Sequence, residues 1–115
     1  MKTSSLDLTQ INMTKTAVTQ LTSLSTAVTN DSPCGFINTV STNLATQGST
    51  SFTCSNRLVN SSKIVLANIQ GYTGTGGSPS IYVKNVGTGM FTVTVQNRDL
   101  VNTLGGVIKI GYLII

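Results

Sequence analysis

Met90 to Asn97 alternates strictly: Phe91, Val93 and Val95 fall on one side, Thr92, Thr94 and Gln96 on the other. Successive side chains of a strand point to opposite faces, so this is the pattern of a strand with one buried and one solvated face. The last nine residues, Val107 to Ile115, break that rule. Ile108, Ile110, Tyr112 and Ile114 share one face, and Val107, Leu113 and Ile115 share the other, with only Lys109 and Gly111 between them. A strand apolar on both sides needs cover on both. In a small domain the simplest second cover is another copy of the chain, and the expectation is an obligate oligomer with this strand inside it.

The same patterns mark the strands before it. Gly35 to Val40 is a short one. Ser51 to Cys54 alternates, with Phe52 and Cys54 on one face. Lys63 to Gln70 sets Val65, Ala67 and Ile69 on one face and Ile64 and Leu66 on the other, and Ser80 to Lys84 is a further strand. Between them lie turn and loop signals: Asn30-Asp-Ser-Pro33, Asn43 to Gly48, Ser55 to Ser62, the long Gly71 to Pro79 stretch, Asn85 to Gly89, and Arg98 to Gly106. Val18, Leu21, Leu24 and Val28 have helical spacing, but Thr stands at positions 14, 16, 19, 22, 26 and 29. β-Branched residues lose rotamer freedom in a helix, so extended structure is expected there. Short strands at this spacing predict an all-β fold, a single antiparallel β-sandwich or barrel.

Composition supports that class. The 115 residues include 47 Thr, Ser, Asn and Gln, 19 of them Thr, with no Glu, His or Trp. Charged residues are 9%, against about 25% in an average globular protein. The seven Lys and Arg are isolated from one another, for a net charge of +4. Nucleic-acid binders gather such residues into a patch or stripe, so no nucleic-acid partner is expected. No apolar run reaches the roughly 20 residues of a membrane-spanning helix, and the N-terminus has no signal-peptide pattern. A surface protein without a signal would leave the cell by assembly into a particle and lysis; cytosolic residence fits equally well.

Candidate chemistry is sparse. Without His there is no Ser-His-Asp or Cys-His set. The side-chain carboxylates are Asp7, Asp31 and Asp99. Asp31 and Asp99 sit in turn sequence, where Asp ordinarily caps backbone, rather than flanking a bond as in a glycosidase. Two Cys without His build no metal site. Cys34 and Cys54 are either one disulfide or two buried thiols. Gly74, Gly76 and Gly77 lack the Lys-Ser/Thr of a phosphate loop. No enzyme activity, cofactor or metal is expected. The functional alternative for the glycine loop is a contact site in which Tyr72 offers an aromatic face, with Arg57 and Arg98 beside it. Three glycosylation sequons, at Asn12, Asn30 and Asn60, are what chance provides in so Asn-, Ser- and Thr-rich a chain.

Ile64 to Pro79, Gly89 to Asn97 and Leu104 to Tyr112, with Thr19 to Thr29, Gly35 to Thr39 and Ser51 to Asn56 before them, resemble a small β module. That module occurs in tailed phages of aquatic bacteria and in large algal viruses, on fibre and spike ends and on capsid surfaces. The resemblance covers roughly residues 16 to 115. It implies a jelly-roll-like β-sandwich forming an intertwined homotrimer on the virion surface, with Ile108, Ile110, Tyr112, Leu113, Ile114 and Ile115 at the trimer interface. Residues 1–15 would be an N-terminal arm anchoring to the capsid or to neighbouring subunits. With so little chain before the module, a capsid decoration, cement or knob protein is favoured over a fibre. The alternative is a receptor- or glycan-binding tip that uses Tyr72, Arg57 and Arg98.

Overall fold

The computed structural model describes residues 15–115. Among these residues eight strands follow one another: β1 (Lys15–Thr19), β2 (Val28–Thr29), β3 (Cys34–Asn38), β4 (Ser49–Ser55), β5 (Val65–Tyr72), β6 (Pro79–Gly87), β7 (Met90–Asn97) and β8 (Ile108–Ile114). They form two four-stranded sheets, in the orders β1-β3-β8-β5 and β2-β4-β7-β6. No helix occurs among the described residues, and the Val18 to Val28 segment is extended or looped, as its threonines predict.

Both sheets are mixed, which corrects the expectation of a purely antiparallel sandwich. β1 pairs with β3, and β2 with β4, in parallel. The cause is the route of the chain. Successive strands run in opposite directions, and from β1 to β4 each crosses to the other sheet. Strands two apart then become neighbours and run the same way. The pairs β3–β8, β4–β7, β5–β8 and β6–β7 are odd in separation and antiparallel. Among the described strands only β6 and β7 are consecutive neighbours. Their hairpin turns at Thr88-Gly89, where Gly89 has a φ of +75° that suits glycine. The expected turn over Asn85–Gly89 is therefore shorter, because a bulge between Val83 and Asn85 lets β6 continue to Gly87. Such a bulge on an edge strand, with Lys84 exposed beside it, discourages pairing with other sheets.

The core lies between the sheets. Phe52, Cys54, Phe91, Val93 and Val95 of one sheet and Ile37, Val65, Ile108, Ile110, Tyr112 and Ile114 of the other form one buried cluster. The rings of Phe91 and Tyr112 meet at 5.4 Å between centroids with a tilt of 52°, a favourable arrangement for aromatic quadrupoles. Gly35 allows β1 to lie close to β3, since a Cβ there would run into the carbonyl oxygen of Thr16.

Cys34 and Cys54 are both buried, and no disulfide joins them. Burial pushes the Cys54 thiol up to about 12. A folded-state value above the ordinary one of about 8.5 means that the folded chain holds its proton longer than the unfolded chain. The associated stability is intact below the ordinary value and is lost as pH rises toward 12. Alkaline titration should lower the urea midpoint through this window, and Cys54→Ala should flatten the slope. At pH 8, a thiol reagent should modify Cys54 only under unfolding conditions.

Candidate functional site: the outer face of the β8 sheet

β8 is apolar on both sides, as expected, but its two faces do different work. Ile108, Ile110, Tyr112 and Ile114 are buried within the single chain, against the other sheet. This corrects their assignment to an intersubunit surface. A sandwich core and a subunit interface produce the same apolar periodicity, and the core claims this face. Of the six residues expected at the interface, Leu113 and Ile115 face outward.

The outward face continues onto β5. Ile64 and Ile115 exchange two backbone hydrogen bonds of 3.0 and 2.9 Å just beyond the strand ends. Leu66 pairs with Leu113. The result is two stacked cross-strand apolar pairs on the solvent side of the sheet. Ile64 is 59% exposed, Leu66 53% and Ile115 62%. Next to them runs an open groove of about 540 Å³, lined by Leu66, Asn68, Gln70, Gly111, Leu113, Cys34, Phe36 and Lys15 among others. Gly111 forms its floor; a Cβ there would press on the Gln70 side chain. One wall is Phe36, over whose ring the Lys109 Nζ sits 4.3 Å from the centroid. Sequence reasoning placed Ile64 and Leu66 on a common face but did not join them to β8. Their two-sided apolarity, the same signal that singled out β8, was the available clue.

The residues of the expected contact loop do not converge. Arg57 lies beyond the C-terminal end of β4, where its backbone N–H donates to Asp31 Oδ1 at 2.9 Å. Tyr72 and Arg98 lie at the opposite end of the sandwich, since β4 and β7 are antiparallel and Arg98 follows β7. Tyr72 is half-buried. Its hydroxyl donates to the Gly76 carbonyl and accepts from the Gly105 N–H at 3.0 Å. It fastens the glycine loop to the 98–107 connection instead of offering an open aromatic face. β5 runs through Tyr72, so the loop is confined to Thr73–Ser78.

Three buried amide side chains hold the loops. Asn97 donates to the carbonyls of Leu44, Ala45 and Asn102 at 3.1, 3.2 and 2.9 Å, and its Oδ1 accepts from the N–H groups of Ser78 and Asp99. Gln20 donates to the carbonyls of Leu24 and Thr26. At the other end, Asn56 donates to the Ser32 carbonyl, as does the Tyr112 hydroxyl at 2.9 Å. Burial holds the Tyr112 phenol well above its ordinary range. The Asp99 carboxylate is held below its ordinary range by the N–H groups of Asn102 and Val101. On these fastened loops Leu21, Leu100 and Val101 stand exposed at one end of the molecule. Replacing Asn97 by alanine strands several buried backbone groups at once, at roughly 1–3 kcal/mol for each group left unpaired. A loss of about 3 kcal/mol in urea denaturation is expected, with the 98–107 and 73–78 connections losing hydrogen-exchange protection first.

Among the described residues no three His, Cys, Asp or Glu side chains are placed to share a metal ion, and no helix is long and apolar enough to cross a membrane. The expected N-terminal arm falls on residues 1–14, outside the described ones, except that Lys15 already belongs to β1. No family model, no curated protein and no solved structure matches this chain.

Proposed function

We propose that this chain is a non-enzymatic structural subunit of a virion surface, a capsid decoration, cement or knob protein acting as a homotrimer. The observation that carries the assembly part is the apolar quartet Ile64, Leu66, Leu113 and Ile115, displayed in register on the outer face of the sheet that holds β8. Antiparallel sheets with a solvated face are polar on that face. Here its polar positions give way to two stacked aliphatic pairs, which need cover by another protein surface. A second copy supplies a matching surface without any further gene product. The number three and the virion setting come from the resemblance of residues 16–115 to the viral β module.

The mechanism is mechanical. Burying the quartet joins the subunits, and the loop end with Leu21, Leu100 and Val101 is repeated in each of them. Because Gln20 and Asn97 hold the bases of these loops, little ordering entropy is lost on docking. Weak contacts of three such ends on neighbouring capsomers reinforce one another through effective concentration. The rival glycan-binding tip has no shared site for Tyr72, Arg57 and Arg98. The test is a reconstruction of an intact particle that carries this chain. Density for it at three-fold or quasi-three-fold capsid axes is expected; its absence from the particle surface overturns the proposal.

A further inference from the structure

We propose that Asn60 is an N-glycosylation site of the folded chain, its side-chain nitrogen accepting a sugar from a glycosyl diphosphate donor. The inference is independent of the assembly reading above. Chance is enough to supply the Asn-x-Ser/Thr triplets at Asn12, Asn30 and Asn60, but the fold treats them differently. Asn12 lies outside the described residues. Asn30 is only 2% exposed, and its side-chain N–H donates to the Thr16 carbonyl at 2.8 Å. A transferase has no access to that nitrogen in the folded chain.

The third triplet is displayed. Asn60, Ser61 and Ser62 are all exposed, on the connection from β4 to β5. The base of that connection is fixed: the carbonyl of the buried Val59 accepts from the Gly89 N–H at 2.8 Å, and the Asn60 carbonyl accepts from the Lys63 N–H at 3.0 Å. Within the turn, the Ser62 N–H and the Ser62 hydroxyl both donate to Asn60 Oδ1, at 2.9 and 2.6 Å. Both bonds engage the amide oxygen; among the described residues its nitrogen makes none.

Sugar transfer to an amide calls for this arrangement. The nitrogen is a poor nucleophile because its lone pair is delocalised into the carbonyl. Loss of an N–H proton to a base of the transferase puts negative charge on Oδ1, where the two donors of Ser62 already stand to stabilise it. The nitrogen then attacks C1 of the sugar. The C1–N bond forms as the C1–O bond to the diphosphate breaks, and the diphosphate leaves with that electron pair. Arg57 and Lys63, both exposed, bracket the triplet and favour the approach of the anionic donor. The site lies beyond the C-terminal end of β4, opposite to the end that carries Leu21, Leu100 and Val101. A sugar there leaves the proposed docking end clear.

The experiment incubates the folded full chain in parallel with two transferases. One is a soluble N-glycosyltransferase with a nucleotide diphosphate sugar; the other is a membrane oligosaccharyltransferase with a polyprenyl diphosphate oligosaccharide. Cleavage after Lys15, Arg57 and Lys63 releases peptide 16–57, which holds the Asn30 triplet, and peptide 58–63, which holds the Asn60 triplet. Mass spectrometry should find sugar on peptide 58–63 in at least one reaction, which identifies the donor, and none on peptide 16–57. Asn60→Gln should abolish the transfer. Ser62→Ala should slow it roughly tenfold or more, through loss of a donor to Oδ1, and Ser62→Thr should retain it. All three variants should keep the circular dichroism of the parent, since both positions are exposed. An unmodified peptide 58–63 in both reactions, or sugar on peptide 16–57 of the folded chain, overturns the proposal. Undiminished transfer to the Ser62→Ala variant overturns the role given to the hydroxyl.

Discussion

Replacing Ile110 by aspartate is expected to abolish folding of the chain itself and not only its assembly. Ile110 is fully buried between the sheets. It pairs with Ile37 on one side and Ile69 on the other, in the row at the centre of the first sheet. A carboxylate there would be sealed from solvent inside the apolar core cluster. The cost of burying an unpaired charge is several kcal/mol even after the group shifts its pKa and takes up a proton. A domain of this size is stable by only about 5–15 kcal/mol. Ile110→Val, by contrast, should cost only about 0.5–1.5 kcal/mol. Circular dichroism and urea denaturation separate the two outcomes. An Ile110→Asp chain that remains folded would mean that the inner face of β8 is not packed as described.

The outer face should respond in the opposite way. Leu66→Lys combined with Leu113→Asp exchanges a register pair of leucines for a cross-strand pair of opposite charge. Such pairs contribute about 0.2–1 kcal/mol to a sheet, so the sandwich should melt within a few degrees of the parent. The assembly should not survive at micromolar concentration. Burying a leucine is worth about 1.5–3 kcal/mol, and two of them correspond to roughly a 10²- to 10⁴-fold change in dissociation constant. Light scattering reads the assembly and thermal melting reads the fold. Loss of both together would place Leu66 and Leu113 in the core; loss of neither would leave the exposed face without a partner.

The contrast between these two substitutions marks the boundary of what the sequence could express. The alternation in β7 and the two-sided apolarity of β8 and β5 are local, so the strands were legible from residue spacing alone. Which apolar face of β8 belongs to the core depends on which sheet lies opposite, and spacing carries no such information. The parallel pairings were hidden for a related reason: they arise from the chain crossing between sheets three times from β1 to β4. The bulge between Val83 and Asn85 made a turn out of residues that are strand, because Asn and Gly mark bulges as well as turns. Tyr72 looked like a contact residue because its hydrogen-bond partners are backbone groups of Gly76 and Gly105, which no side-chain motif announces. Asn97, Gln20 and Asn56 were indistinguishable from the other amides among the 47 residues of Thr, Ser, Asn and Gln. Only burial reveals them as the fasteners of the loops.

The most direct measurement of the assembly claim is the molar mass of the full chain by light scattering at micromolar concentration. A homotrimer held by its outer β8 face gives three times the 12.0 kDa chain mass, and the Leu66→Lys/Leu113→Asp chain then gives one. A full chain that runs stably at 12.0 kDa contradicts the account.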